Sequence, residues 1–313
     1  MSRRDLTLLV VIAAIFGASF LFIRIAAPVT GPLPVSAGRV ALGALVPLAV
    51  LAWGRRLGDL FDGGPAKARD MLVVGVLLAA LPFTLFAVAE LRVTASLASV
   101  LNAAVPLWSV LVAALWLGQP ITARRLGGAL IGVVGVGLAV GLGPLPRDPV
   151  TLAGAGACLV AALSYAIGSV WTTRRLPGVP PTALAAGQQL TAAAVLAVPA
   201  VLFSAALSPG EGSAAGSMTG AVAAIGALGV ICTGLAFTLW FRLLRRVGPV
   251  AAVTVTLLAP VFGVAWGAIF LGEPVTLGLF VGTGAVLLGV GLITGTGSSV
   301  RQSQRVRERQ LAT

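Results

Sequence analysis

The sequence predicts an all-α polytopic membrane protein whose ten transmembrane helices form two inverted five-helix repeats. Three observations predict it. Hydrophobic residues fill 58% of 313 positions against 10% charged, and the mean hydropathy is +1.05. A soluble domain carries about a quarter charged residues, and no water-soluble core could absorb this much apolar surface. The second observation is a series of ten apolar runs, and the third is a basic bias to one side of them.

A hydrocarbon core about 30 Å thick needs about 20 apolar residues of helix. The first five runs of that kind are Leu6–Ala27, Val35–Trp53, Met71–Glu90, Thr94–Leu117 and Leu126–Leu142. The second five are Thr151–Thr172, Thr182–Phe203, Thr219–Phe241, Pro249–Leu271 and Thr276–Thr296. Arg3 and Arg4 before the first run give it the look of a secretory signal. Its apolar stretch is too long for one and nine more follow, so it reads as a retained helix.

With the N-terminus cytoplasmic, the inside segments hold 17 of the 21 basic residues. They are Arg3, Arg4, Arg55, Arg56, Lys67, Arg69, Arg124, Arg125, Arg174, Arg175, Arg242, Arg245, Arg246, Arg301, Arg305, Arg307 and Arg309. Only Arg92 and Arg147 fall in outside loops, while Arg24 and Arg39 lie within or at the ends of spans. This bias sets the orientation, with both termini cytoplasmic in the plasma (inner) membrane, and it supports an even number of spans.

Shifting the sequence by 154 residues lays Pro106–Leu138 on Pro260–Leu292 without a gap. Gly118-Gln119-Pro120 then meets Gly272-Glu273-Pro274, and Gly128, Gly135 and Gly137 meet Gly282, Gly289 and Gly291. The register extends back through Gly75 on Gly229, Phe83 on Phe237 and Arg92 on Arg246, and a shift of 149 lays Phe16 on Tyr165. The repeats occupy residues 1–142 and 151–296, followed by a basic cytoplasmic tail at 297–313. Five helices per copy is an odd number, so the second copy enters the membrane from the opposite side. Alternating access around a central site is the usual use of such an architecture; a plain bundle is the other.

Phe16-Gly17-Ala18-Ser19-Phe20, Arg39 entering the second span, Leu117-Gly118-Gln119-Pro120 and Leu271-Gly272-Glu273-Pro274 together resemble the EamA domain, as do the glycine-rich last helices of each half. Two such domains in ten spans characterise the drug/metabolite transporter superfamily, and the likeness runs from Leu6 to Thr296. One departure is Gln119, where the family usually has Glu; the second copy keeps Glu273. The resemblance implies a secondary carrier, often an exporter of amino acids, metabolites or toxic compounds, with a pocket between the halves.

The residues suggest where that pocket lies. Pro106 and Pro260 are equivalent, and each removes the amide that would bond the carbonyl four residues earlier, on Asn102 and Thr256. A freed carbonyl at bilayer depth needs protein or a water-filled cavity. It marks either a transport site or a kink satisfied by a neighbouring helix. Phe16, Ser19, Phe83, Trp108, Tyr165 and Phe237 lie at similar depth and offer aromatic walls with a polar group. Gln188 and Gln189 are costly in lipid, so at least one points inward, towards substrate or a helix neighbour. Arg24, Arg39, Glu90 and Arg92 fall near the outer ends of their spans; they form an ion-paired outer gate, with Arg24, Arg39 and Glu90 at its centre, or Arg24 and Arg39 attract a carboxylate as it leaves, or the charges snorkel to the interface. The glycine pairs Gly128/Gly132, Gly137/Gly141, Gly278/Gly282 and Gly291/Gly295 suit close helix packing within the chain or a homodimer seam.

Several classes are excluded. No nucleophile with a base, carboxylate pair or metal set appears within the spans, histidine is absent, and Cys158 and Cys232 each sit in apolar runs, so neither an enzyme nor a cofactor or metal is expected. The net charge of +12 lies in short clusters between apolar runs, which suits anionic lipid headgroups and not nucleic acid. The expected partners are a small-molecule substrate and the bilayer. A lipid-headgroup flippase or a carrier partner is the alternative function. All five aspartates lie outside the expected spans, and Glu90 sits at the edge of one, so no buried proton-carrying carboxylate is visible.

Overall fold

The computed structural model describes residues 3–60, 62–118, 122–141, 148–203, 217–240, 243 and 254–294, and every regular element among them is helical. The helices are α1 (Arg3–Thr30), α2 (Pro32–Trp53), α3 (Gly64–Gly75), α4 (Leu81–Ala89), α5 (Ala95–Asn102), α6 (Val105–Leu117), α7 (Ala123–Gly141), α8 (Pro149–Arg175), α9 (Pro181–Phe203), α10 (Met218–Gly229), α11 (Thr254–Leu271) and α12 (Leu277–Thr294). Seven segments are long and apolar enough to cross a membrane: α1, α2, Gly64–Ala89, Ala95–Trp116, α8, α9 and Met218–Trp240. Gln119, Pro120, Arg147, Arg242, Arg245, Arg246, Pro249 and the tail at 297–313 lie outside the described residues, as does the side chain of Thr256.

Helix starts follow ordinary capping chemistry. Asp148 Oδ1 accepts from the backbone of Val150 and Thr151 at 3.0 Å each, and Thr151 Oγ1 donates to Oδ2 at 2.7 Å, so α8 begins ahead of Pro149 at its first position. Thr94 caps α5 and Ser217 caps α10 in the same way. Gly118 and Gly272 end α6 and α11 with φ of 61° and 64°, a left-handed conformation that favours glycine.

Two spans are interrupted by π turns, at Val76–Ala80 between α3 and α4 and at Val230–Leu235 after α10. Each follows a glycine, Gly75 and Gly229. A π turn frees carbonyls from the regular ladder. Ser164 of α8 donates to Leu77 O at 2.7 Å, and Thr233 donates to Leu228 O at 2.9 Å.

The fourth expected span breaks between α5 and α6. Ala103 N and Ala104 N bond back to Val100 and Leu101, tightening the chain ahead of Pro106. Its expected partner Pro260 lies within α11, which runs through it unbroken. Asp5 and Asp70, expected outside the spans, sit within α1 and α3 and are buried, because both helices begin ahead of their apolar runs.

Packing couples distant parts of the chain. α1 lies on α11, while α8 lies on α5 and α6; α2 packs on α10 and its π turn, while α9 packs on α3 and its π turn. α2 also packs on α9, and α7 runs along α12. That last contact is backbone to backbone: a Cβ on Gly135 would stand 2.8 Å from Gly282 O, and one on Gly282 would stand 2.6 Å from Gly135 O. Gly137 and Gly291 face open space instead.

Candidate functional site

Arg39 enters the core from the second turn of α2, and its side chain is buried at 6% exposure. Nε donates to Thr233 Oγ1 at 2.9 Å, and Thr233 Oγ1 in turn donates to Leu228 O in the last turn of α10. The guanidinium carbon stands 3.7 Å from the ring centroid of Phe83 on α4. A desolvated stacking of this kind is worth about 2 kcal/mol. Tyr165 of α8 packs on the cluster that holds Phe83 and stacks on Phe86 at 6.3 Å; Phe20 of α1 meets Phe86 edge-on at 5.5 Å. Ser19 is buried on α1 beside Cys232, which neighbours Thr233. Arg39 therefore stacks on Phe83 of α4, with Tyr165 of α8 packed on the same cluster.

The other expected site residues divide around this centre. Phe16 and Phe237 meet edge-on at 5.5 Å within a cluster that includes Leu239, Trp240 and Phe262. Asn102 marks the α5–α6 break, and Trp108 packs on Leu163, Ala166, Ile167 and Val170 of α8. Gln188 lies at the α9–α3 contact, where its carbonyl lies close to Gly75. Thr256 belongs to α11 by its backbone alone.

Many polar atoms here are buried without a hydrogen-bond partner among the described residues: Ser19 Oγ, Glu90 Oε1 and Oε2, Asn102 Oδ1, Trp108 Nε1, Gln188 Nε2 and both ends of the Gln189 amide. Each such group costs about 1–3 kcal/mol in a dry interior. These groups lie on or beside α1, α4, α5, α6 and α9, where polar atoms interrupt an apolar bundle.

At the other end of α4, Glu90 is fully buried. Arg24 donates to its backbone carbonyl, leaving its carboxylate to act on Arg24, Glu273 and Arg39 through space. Arg39 and Glu90 are both buried, and Arg39 bonds Thr233 instead of pairing with Glu90. Glu90, expected at the edge of its span, is thus a buried carboxylate, set where the chain turns after α4.

Glu273, singled out at the repeated glycine-proline turn, caps a helix of the other half. Oε1 accepts from Ala95 N at 2.8 Å, while Oε2 accepts from Ser96 N at 2.9 Å and from Ser96 Oγ at 2.5 Å. A carboxylate at a helix N-terminus meets both the free amides and the positive end of the dipole. The turn after α11 is thus tied to the start of α5, across 177 positions of sequence. Trp266 makes a second long-range tie, donating from Nε1 to Ala14 O at 3.0 Å.

Seven helical segments long and apolar enough to cross a membrane, packed in an all-helical bundle, define the class of integral membrane proteins. The chain belongs to the EamA-like transporter family, whose model matches it twice, over residues 5–141 and 152–295. An inner membrane transporter of Escherichia coli, YedA, is 28% identical over 284 residues, covering 90% of this chain and 87% of its own, with the same match in three strains. A protein known from its crystal structure superposes with a TM-score of 0.65 at 22% identity, over 93% of this chain and 96% of that one, which shows a shared fold alone.

Proposed function

We propose that the protein is a secondary carrier that exports small metabolites, amino acids or related compounds, across the inner membrane by alternating access between two inverted five-helix halves. In this reading α7, α11 and α12 complete the ten spans. The family match in each half supports the repeat, and so does the packing, which keeps its pattern when the halves are exchanged: α1 on α11 answers α8 on α6, and α2 on α10 answers α9 on α3. The observation that carries the proposal is the set of unpartnered polar atoms on α1, α4, α5, α6 and α9, buried where the two halves meet. Groups of this kind are tolerated at membrane depth where a solute or water satisfies them during the cycle.

The solute site is formed by Phe16, Ser19, Phe83, Asn102, Trp108, Tyr165, Gln188, Phe237 and Thr256, with the Arg24–Glu90 contact and the Glu273 cap closing the outer end. Flux of a panel of amino acids, organic acids and amines into proteoliposomes tests it. Saturable flux that falls roughly 10-fold or more in Asn102→Ala and Trp108→Ala, with insertion unchanged, is the expected result. Absence of flux for every solute would overturn the carrier reading.

A further inference from the structure

We infer that Arg39 binds the carboxylate of the transported solute, so that the substrate class is an organic acid with an apolar body of about aromatic size. The inference rests on the carrier reading and deepens it. A guanidinium at 6% exposure in a membrane bundle is costly unless an anion meets it. None does so directly. The ion pairs among the described residues are Arg56–Asp59 and Arg69–Asp70, both away from this centre. The direct partners of Arg39 are neutral, a threonine hydroxyl and a phenyl face. Glu90 acts on it only through space, and Arg24 is the cation held against Glu90 by its backbone carbonyl.

Geometry indicates how the anion would seat. Among the described residues Thr233 engages Nε alone, so the Nη edge of the fork is the side a carboxylate would meet, and the bond from Thr233 to Leu228 O at the end of α10 holds that orientation. Phe83 occupies one face of the guanidinium plane, so an anion approaches in the plane and its apolar body lies along Phe86 and Tyr165. An amine without a carboxylate would be repelled by Arg39.

The test uses the full chain in lipid nanodiscs with three matched probes: 3-phenylpropionate, 3-phenylpropionamide and 3-phenylpropylamine. The carboxylate is expected to bind and raise the unfolding temperature, with amide and amine weaker by roughly 10-fold or more, the worth of a charge-assisted pair. Arg39→Gln should erase this ranking, while Arg39→Lys keeps its order with reduced affinity. Thr233→Val, which leaves the charge but frees Nε, should weaken the carboxylate and leave the amide unchanged. The wild-type ranking needs no variant to fold. Carboxylate binding absent, matched by the amide or amine, or unchanged in Arg39→Gln overturns the inference. Binding in nanodiscs reads recognition without transport, so flux lacking carboxylate preference sinks this assignment alone. Carboxylate binding with no flux of any solute sinks the carrier reading.

Discussion

The carboxylate of Glu273 accepts three hydrogen bonds at the start of α5, two of them from backbone amides that have no other role there. Glu273→Ala is expected to lower stability by about 1–2 kcal/mol in thermal unfolding, the usual cost of a lost cap, and Glu273→Gln by less, since its amide oxygen still accepts. Asp148 offers a pH-dependent counterpart in the loop before α8. Hydrogen bonds from Thr151 and Val150 hold its carboxyl below the ordinary value near 3.8. A carboxylate depressed in the folded state stabilises above its unfolded value and loses that contribution as pH falls through the folded one. Unfolding followed below about pH 4 should therefore show a decline that Asp148→Asn lacks. The Glu273 pairing is not legible in sequence, because Glu273 reaches its donors across 177 positions and a glycine-proline turn names no partner. Arg39 was legible as a charge in a span; its partner Thr233 was not, because a threonine in an apolar run is ordinary.

α7 and α12 meet through glycines, and the cost of adding a side chain there depends on which way each glycine points. Gly135→Ala and Gly282→Ala drive a methyl against backbone, so each is expected to cost roughly 1–3 kcal/mol, whereas Gly137→Ala should stay within about 0.5 kcal/mol. Urea or thermal midpoints of the three purified variants measure the contrast. The glycine spacing announced close packing, yet the four-residue pairs included Gly137, which faces away, and passed over Gly135, which faces α12. Proline gave the α5–α6 break correctly at Pro106 and not at Pro260, where α11 continues. A missing amide frees one carbonyl; whether the helix then breaks depends on what its neighbours offer. The π turns had only their paired glycines as a signal, since widening a turn by one residue leaves the apolar pattern almost unchanged.

At the scale of the molecule, composition and length secured a helical membrane bundle, and the 154-residue register foreshadowed a family model that matches twice. Placement of individual side chains inside the bundle was beyond that register, because an apolar span buries every face and its periodicity no longer points inward. The register also exposes an asymmetry. Opposite Ala95 and Ser96 the second copy has Pro249 and Val250, and opposite Glu273 the first has Gln119, so the equivalent turn lacks a charge, a hydroxyl and one amide donor. The end closed by Glu273 is expected to be the firmer of the two. Spin labels on Arg92 and Leu277, both exposed, should report one short distance in the solute-free protein, and Glu273→Ala should add a longer population. An unchanged distribution would deny the cap any part in closure. The π turns at Val76 and Val230 stand at the same 154-residue interval. Each is one residue more than the α turn it replaces, which in a gene is a three-nucleotide insertion. In the proposed repeat, sharing it between the halves places that insertion in a single-copy ancestor, before its duplication.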